Sequence, residues 1–432
     1  MVALAGIRPG PGRAASLSWR PGLFTRGLLV VNVVFAAWLF SPVWWSQLGE
    51  DTRVFYAAGS LAAHHGDPYD PRQLFSEEDR LYNAGRATHD DRPRFAHATY
   101  ANPPLFTCVL QAGQRLGPVG FHVVSGAVLL GAGLAGFLAI LKAGRWPVRG
   151  LPLIFFLTSG PMLLALFVGN TSALLMGAWG AGYLLLTRGR ALMAGALLSL
   201  LVLKPSVGIP AALVALFLAE GRSKRAVVGF GGGVAVLALI DVALTGVAPL
   251  GRWVATLAGY TAALSLEGPT TTFSSNSAGQ SSLPGLFLDH LALPLAVAAA
   301  VFLAALIVAG GAGIHGLQKA RADPELRLAL GMALLLALCP YLHLNDVILD
   351  AMPVLVIASR PLRAGSRLCL VLFAALAPVQ VVGVAVASIG FHYQPSAGTA
   401  GIGIALTVAA LFATAQLARP VPPSAASFPV PA

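Results

Sequence analysis

Charged residues are scarce in this sequence. They make up 10% of the 432 residues, whereas hydrophobic residues make up 56%, and a typical soluble domain contains about 25% charged residues. So few charges exclude a water-soluble core for a chain of this length. Nearly uncharged runs such as 27–45, 119–141 and 283–314 match or exceed the ~20 residues that a helix needs to cross a bilayer. Because these runs are continuous rather than alternating, we predict an all-α polytopic membrane protein and not a β-barrel.

Cysteine and lysine are also rare. The three cysteines, Cys108, Cys339 and Cys369, have unrelated spacings, which predict neither a disulfide framework nor a metal site. Lysine contributes only 4 of the 28 basic residues that give the chain its net charge of +11. A basic balance can indicate nucleic-acid binding. Here the basic residues lie in short loops between apolar runs, as membrane topology requires, so we expect no nucleic-acid partner.

The basic residues also set the expected topology. Four arginines place a cytoplasmic N-terminus at residues 1–26. The 19-residue apolar run that follows has no small-x-small cleavage site, so we interpret it as a retained span rather than a signal peptide. We expect about twelve spans, at 27–45, 119–141, 151–168, 171–187, 191–203, 205–219, 227–246, 286–313, 328–342, 346–358, 368–389 and 398–417. This arrangement puts 19 of the 28 basic residues inside. An extra crossing at 103–117 would place the next four basic clusters outside. We therefore predict a re-entrant or interfacial segment at 103–117.

The chain is expected to form one transmembrane domain, residues 27–418, followed by a disordered Pro- and Ala-rich tail at 419–432. Two outer loops, 46–118 and 247–282, are longer than the 12–15 residues beyond which a loop is usually functional or disordered. The first loop contains two stretches, 60–65 and 73–86, that we interpret as short interfacial helices. We find no internal repeat.

Polar residues interrupt the apolar sequence at one predicted face of the membrane. They are Asp51, Tyr56, 64–70, 100–104, Gly169, Asn170, Lys204, Pro205, 276–282, His343, Asn345, Asp346 and His392. Each lies at or near the outer end of a predicted span, where ionisable residues are functional suspects. Each also has a structural interpretation: Lys204 could extend to the membrane surface, Asn170 could cap a helix and Tyr69 could belong to an aromatic belt.

In this order the residues resemble glycosyltransferase family 87 of the GT-C superfamily. The matching elements are 51–58, 66–70, Tyr100 with Pro103 and Pro104, Gly169-Asn170, Lys204-Pro205, 279–281, and Pro340 with His343 and Asp346. The resemblance covers residues 28–360 and implies a GT-C-like helical fold. It also implies an inverting transfer of a hexose such as mannose, as in the polyprenol-phosphate-mannose-dependent mannosyltransferases. The expected partners are a polyprenyl-phosphate donor, a lipid or glycan acceptor and membrane lipids, at the outer or periplasmic face of the inner (plasma) membrane.

The chemistry of such a transfer needs few groups. The attacking hydroxyl must lose a proton to a nearby base, and we expect Asp51 to be that base. The leaving phosphate gains negative charge, which cations stabilise, so we assign Lys204, His343 and Arg53 to the donor phosphate. The residues expected to bind sugar or acceptor are Tyr56, Tyr69, Asp70, Asn170, Gln280, Asn345 and Asp346. A single phosphate does not oblige a metal, and the sequence contains no Gly-rich nucleotide loop, so we expect no cofactor.

Two other classes of function remain open from the sequence. A transporter or flippase of lipid-linked saccharides would usually show repeats and broken helices with polar groups near the membrane midplane, and only the break at Lys204-Pro205 favours it. A non-catalytic membrane scaffold would not need a carboxylate, a lysine and a histidine on one side.

Overall fold

The computed structural model describes residues 26–27, 30, 33–34, 50–83, 100–146, 150–218, 224–266, 295–320, 323–339, 342–359, 369–370, 372 and 397–417. All regular structure within these ranges is helical, as the sequence predicts. The longer helices from residue 50 onward are α1 (Glu50–Ala63), α2 (Pro71–Glu78), α3 (Pro104–Gly113), α4 (Gly117–Ala143), α5 (Gly150–Leu157), α6 (Gly160–Val168), α7 (Ser172–Thr187), α8 (Ala191–Leu198), α9 (Pro205–Leu218), α10 (Lys224–Thr245), α11 (Val247–Leu266), α12 (Leu295–Lys319), α13 (Pro324–Leu338), α14 (Ala351–Ala358) and α15 (Ala397–Leu417). Most of the predicted spans 27–45 and 368–389 lie outside the described residues.

Three helices in the described part of the chain are long and apolar enough to cross a membrane. They are Lys224–Thr245, Ala300–Lys319 and the helical stretch Pro104–Ala143, which comprises α3, a 3₁₀ turn and α4. In Lys224–Thr245 only 11% of the most apolar window is buried inside the protein, and large apolar side chains such as Leu239 and Leu244 point outward. A helix that exposes such side chains is suited to contact with lipid. Shorter apolar helices are Ser172–Thr187, Ala191–Leu203, Pro205–Leu218 and Ile404–Leu417.

Close helix packing in the bundle depends on small residues. A Cβ atom at Gly136 of α4 would lie 2.2 Å from the Met176 carbonyl oxygen of α7, and one at Gly180 would lie 2.2 Å from the Gly136 carbonyl oxygen. The two backbones are therefore in contact, as is common where membrane helices meet at small residues. Trp179 of α7 donates a hydrogen bond of 3.0 Å from its indole N–H to Ala211 O of α9. These contacts hold α4, α7 and α9 together.

Two predicted spans have a different local structure. The predicted span 151–168 is interrupted, because α5 ends at Leu157 and α6 begins at Gly160 with a proline in its first turn. Proline has no backbone N–H and so cannot continue the preceding helix. The predicted span 346–358 begins as the 3₁₀ helix Leu344–Asp350 and becomes α-helical only at Ala351. The spans predicted at 171–187, 191–203 and 205–219 match α7, α8 with its 3₁₀ extension, and α9 to within a residue.

The first predicted outer loop folds into a lobe rather than an extended connector. This N-terminal lobe comprises residues 50–83 and 100–121, and its buried core includes Val54, Phe55, Leu74 and Tyr100. The predicted helix 60–65 is the end of the longer α1, and the predicted helix 73–86 corresponds to α2 followed by a π-helical turn at Asp79–Asn83.

The segment predicted not to cross the membrane forms helix α3 in this lobe. It has 10 residues and is therefore about 15 Å long, half the thickness of the hydrocarbon layer. A 3₁₀ turn and Gly117, whose φ of 67° is left-handed, separate α3 from α4. α3 packs against α1.

Candidate functional site

Gly169 lies where the N-terminal lobe packs against the helical bundle. It ends α6 with a left-handed φ of 82°, and its N–H donates to Ala165 O. A Cβ atom at this position would lie 1.9 Å from Thr52 Oγ1 at the start of α1. Both the backbone angle and the close approach therefore require glycine. Thr52 Oγ1 also lies 3.1 Å from the His122 ring of α4, so the start of α1 is held at the ends of α4 and α6.

Six polar residues from four separate regions of the chain meet beside this junction. Asp51 comes from the start of α1, Lys204 immediately precedes α9, and the rest flank α7 or belong to the region of the 3₁₀ helix. We call this set the polar cluster, and its members are Asp51, Asn170, Ser172, Lys204, His343 and Asp346. Every member except Ser172 was selected from the sequence. The structure thus brings together residues that are up to 295 positions apart in the chain.

Lys204 lies at the centre of the polar cluster. Its ammonium nitrogen is 2.5 Å from Asp346 Oδ1, 3.1 Å from Ser172 Oγ and 3.2 Å from Asn170 Oδ1. The lysine side chain is 13% exposed, whereas the aspartate side chain is fully buried. Because a proline follows, Lys204 adopts an extended backbone with φ −131° and ψ 81°. The lysine therefore interrupts the helical path between α8 and α9.

Asp346 is fixed by contacts on both carboxylate oxygens. Oδ1 accepts from Lys204 and from Ser172 Oγ, the latter at 2.5 Å. Oδ2 accepts a hydrogen bond of 3.1 Å from the backbone N–H of His343. The His343 imidazole is half-buried and interacts electrostatically with both Asp51 and Asp346. The 3₁₀ helix thus supplies a carboxylate from its first turn and an imidazole from its N-cap residue His343.

Asp51 is the second carboxylate of the cluster. Its Oδ2 accepts a hydrogen bond from the side-chain amide of Asn170. Burial raises the pKa of Asp51 above its usual range, while Lys204, Asn170 and His343 favour its charged form and Asp346 opposes it. The raised pKa makes Asp51 a stronger base than an ordinary aspartate, whose pKa is near 4. A proton could therefore be transferred to this carboxylate more readily than to one on the surface.

Three of the predicted sugar- or acceptor-binding residues lie in the N-terminal lobe, away from the polar cluster's hydrogen bonds. Tyr56 packs on Phe121 with ring centroids 5.5 Å apart. The Tyr69 hydroxyl donates to Asn102 O at 2.7 Å. Asp70 caps α2 by accepting from the backbone N–H of Arg72 at 2.9 Å, and this hydrogen bond lowers the pKa of its carboxyl. All three side chains thus have contacts that stabilise the lobe.

The remaining predicted residues are placed as follows. Arg53, expected at the donor phosphate, is 9% exposed and interacts electrostatically with Tyr82 of the lobe. Gln280 lies outside the described residues. Asn345 belongs to the 3₁₀ helix beside His343 and Asp346, but only its backbone is described.

Two polar residues that matter to the architecture were missed in the sequence. Ser172 begins α7 two positions after Asn170, and only its polar character at the start of a span marked it. Asp241 lies within the predicted span 227–246 and accepts from the backbone N–H of Leu105, in the first turn of α3. A buried carboxylate inside a span is a recognisable signal, and here it caps the N-terminus of another helix.

An apolar cavity lies beside the 3₁₀ helix. Its space, including the part that is open to the surroundings, is about 650 Å³. Its wall includes Val347 and Ile348, the two residues that follow Asp346, and is completed by Phe137, Pro152, Phe155, Phe156, Ser159, Pro161, Ala351, Val354, Leu355, Ala358 and Leu370. None of the six residues of the polar cluster lines the cavity, and Asp346 is linked to its wall through Val347. Within the described residues, no three His, Cys, Asp or Glu side chains are grouped so as to hold a metal ion.

Comparison with protein families identifies the chain. The model of glycosyltransferase family 87 matches residues 100–340, which is more than half of the sequence and includes Asn170, Ser172 and Lys204. Asp51, His343 and Asp346 lie outside the matched range. No match is found among curated proteins. The extent of the family match and the long apolar helices show that the chain belongs to glycosyltransferase family 87 and is a membrane glycosyltransferase.

Proposed function

We propose that the protein transfers a hexose such as mannose from a polyprenyl-phosphate donor to a lipid or glycan acceptor, with inversion, at the outer face of the inner (plasma) membrane. The observation that carries this proposal is the polar cluster. It holds a carboxylate of raised pKa and a lysine ammonium at the ends of apolar helices, and Asp346 directly precedes two residues of the cavity wall.

Asp51 acts as the general base. Its Oδ2 is engaged by Asn170, which leaves Oδ1 to accept the proton of the attacking hydroxyl. In an inverting transfer the acceptor oxygen bonds to the anomeric carbon as the bond from that carbon to the phosphate oxygen breaks. The acceptor proton passes to Asp51 in the same step, and the electron pair of the broken bond stays on the phosphate.

The leaving phosphate is stabilised by Lys204 and His343. One ring nitrogen of His343 accepts a hydrogen bond from the backbone N–H of Asp346. The hydrogen of the imidazole therefore lies on the other ring nitrogen, which can donate it to the phosphate. The lysine N–H groups already have three acceptors. The phosphate replaces Ser172 Oγ as an acceptor of one lysine N–H, because the serine hydroxyl is neutral and has other hydrogen-bond partners.

The polyprenyl chain of the donor occupies the apolar cavity. Two observations support this assignment: the cavity wall continues directly from Asp346 through Val347 and Ile348, and it is almost entirely hydrocarbon. Burying isoprenoid carbon there contributes roughly 25 cal/mol for each Å² removed from water. This binding energy does not depend on the sugar and would hold the phosphate at the cluster.

A transfer assay with matched variants tests the proposal. Purified protein in lipid nanodiscs is incubated with polyprenyl-phosphate mannose and lipid acceptors, and products are identified by mass spectrometry. We expect a glycosylated acceptor from the wild type and from Glu50→Gln, and almost none from Asp51→Asn, which keeps the shape of the side chain but removes its basicity. Equal activity of all three proteins would exclude Asp51 as the base, and product from a nucleotide sugar alone would exclude the proposed donor.

A further inference from the structure

Asn170 is the residue through which the centre of the polar cluster reaches Asp51. Among the described residues, its amide is the only group that hydrogen-bonds to the Asp51 carboxylate. Its carbonyl oxygen faces the other way, towards the Ser172 backbone N–H at 2.9 Å and Lys204 Nζ at 3.2 Å. Asn170 therefore connects the base to the lysine at the centre of the cluster.

The donors around the Asn170 oxygen can be named one by one. Lys204 has three N–H donors and three acceptors within 3.2 Å. The Ser172 hydroxyl lies 2.5 Å from both Asn170 Oδ1 and Asp346 Oδ1 and can donate its one hydrogen to either oxygen. In both cases Asn170 Oδ1 accepts from the Ser172 backbone N–H and from Lys204.

This assignment fixes the orientation of the Asn170 amide. If the amide were rotated by 180°, its NH₂ group would face two donors, Lys204 and the Ser172 N–H, and its oxygen would face the Asp51 carboxylate. Both contacts would be repulsive and four hydrogen-bonding groups would lose their partners, each at a cost of about 1–3 kcal/mol. The amide N–H must therefore point at Asp51 Oδ2.

We propose that Asn170 is a positioning residue for sugar transfer: held by Ser172 and Lys204, it fixes Asp51 Oδ2 and directs Oδ1 towards the acceptor hydroxyl. The inference rests on the proposed function, since it assigns a role relative to Asp51 as the base. In this proposal Asn170, which the sequence predicted to bind sugar or acceptor, acts through Asp51. Its effect is on the orientation of the base and on the free energy of its ionised form.

The inference has a measurable consequence for pH dependence. The charged and titratable groups that face Asp51 are Lys204, His343 and Asp346. The Asn170 N–H stabilises the ionised carboxylate and lowers its pKa. Removal of that donor raises the pKa of Asp51 further, so a higher pH is needed to keep the base ionised.

The isosteric variant Asn170→Asp tests this role most sharply, because it replaces the donor by an acceptor without changing size. We expect the turnover number to fall by about 10- to 100-fold, with little change in the KM for the donor. The acidic limb of the kcat–pH profile should move to higher pH. Asn170→Gln keeps an amide and should recover part of the turnover and the wild-type limb. The control is Ser125→Ala, because the Ser125 hydroxyl donates only to its own helix.

An infrared titration separates this inference from the proposed function. The carboxyl band that is absent in Asp51→Asn is followed against pH in wild type, Asn170→Asp and Asn170→Ala. We expect its midpoint to be higher in both Asn170 variants, whether or not the chosen donor is a substrate. A midpoint and an acidic limb equal to those of the wild type would overturn the positioning role. If the wild type transfers no sugar but the midpoint is still higher in the Asn170 variants than in the wild type, only the proposed function is overturned.

Discussion

Removal of Lys204 should destabilise the protein more than removal of its partner Asp346. The lysine lies 2.5 Å from the carboxylate, and the exposed fractions of the two side chains are 13% and 0%. Lys204→Met leaves a fully buried carboxylate without its cation, which typically costs about 3–5 kcal/mol. Asp346 can avoid an uncompensated charge by taking a proton, at a cost of about 1.4 kcal/mol for each pH unit above an aspartate pKa near 4. The penalty at pH 7 is therefore limited to about 4 kcal/mol.

The same reasoning gives the penalty a pH dependence. Protonation becomes cheaper as the pH falls, so the deficit of Lys204→Met relative to wild type should shrink to about 1.4 kcal/mol at pH 5. Asp346→Asn leaves a lysine that still reaches water and keeps two neutral acceptors, so its deficit should be smaller. Unfolding by denaturant in detergent micelles at both pH values measures these differences. A Lys204→Met variant as stable as the wild type at pH 7 would refute the buried ion pair.

Three further predictions concern the base, the junction and the topology. The rate of transfer should fall on acidification through a pKa above the ordinary value of about 4, because burial raises the pKa of Asp51; a limb at or below that value would show a solvated base. Gly169→Ala should destabilise the protein by about 1–3 kcal/mol or more, because its Cβ would lie 1.9 Å from Thr52 Oγ1. A thermal melt equal to that of the wild type would contradict this contact. In a chain without native cysteines, a cysteine at Thr88 should react with an impermeant maleimide on intact cells and one at Ser223 should not; labelling of the second position would reverse the proposed orientation.

The sequence was sufficient to predict the helices because apolar run length is a local property. The boundaries of α7 and α9 follow from where polar residues interrupt those runs. The break between α5 and α6 was not predicted, although Thr158, Ser159, Gly160 and Pro161 mark it, because the segment was judged by its length and its lack of charge. Length and hydropathy cannot distinguish one span from two short helices there.

The meeting of Asp51, Asn170, Lys204 and Asp346 could be anticipated because each follows or precedes an apolar run at one predicted end. The order of residues in the sequence does not show which polar side chains contact one another. Ser172 was missed because a serine at a helix start has an ordinary capping explanation. Tyr69 and Asp70 looked equally suitable for the site, yet their contacts in the structure lie within the lobe.

The central claim is that the polar cluster breaks the bond between a sugar and a polyprenyl phosphate and passes the sugar to an acceptor. The most direct measurement follows polyprenyl phosphate and glycosylated acceptor together, in proteoliposomes that contain either the wild type or Asp51→Asn. The account predicts that the two products form in equal amounts with the wild type. With Asp51→Asn both should fall by roughly 10²- to 10⁴-fold, while donor binding is retained. Movement of intact polyprenyl-phosphate mannose across the bilayer, with neither product formed, would contradict the account and identify a flippase.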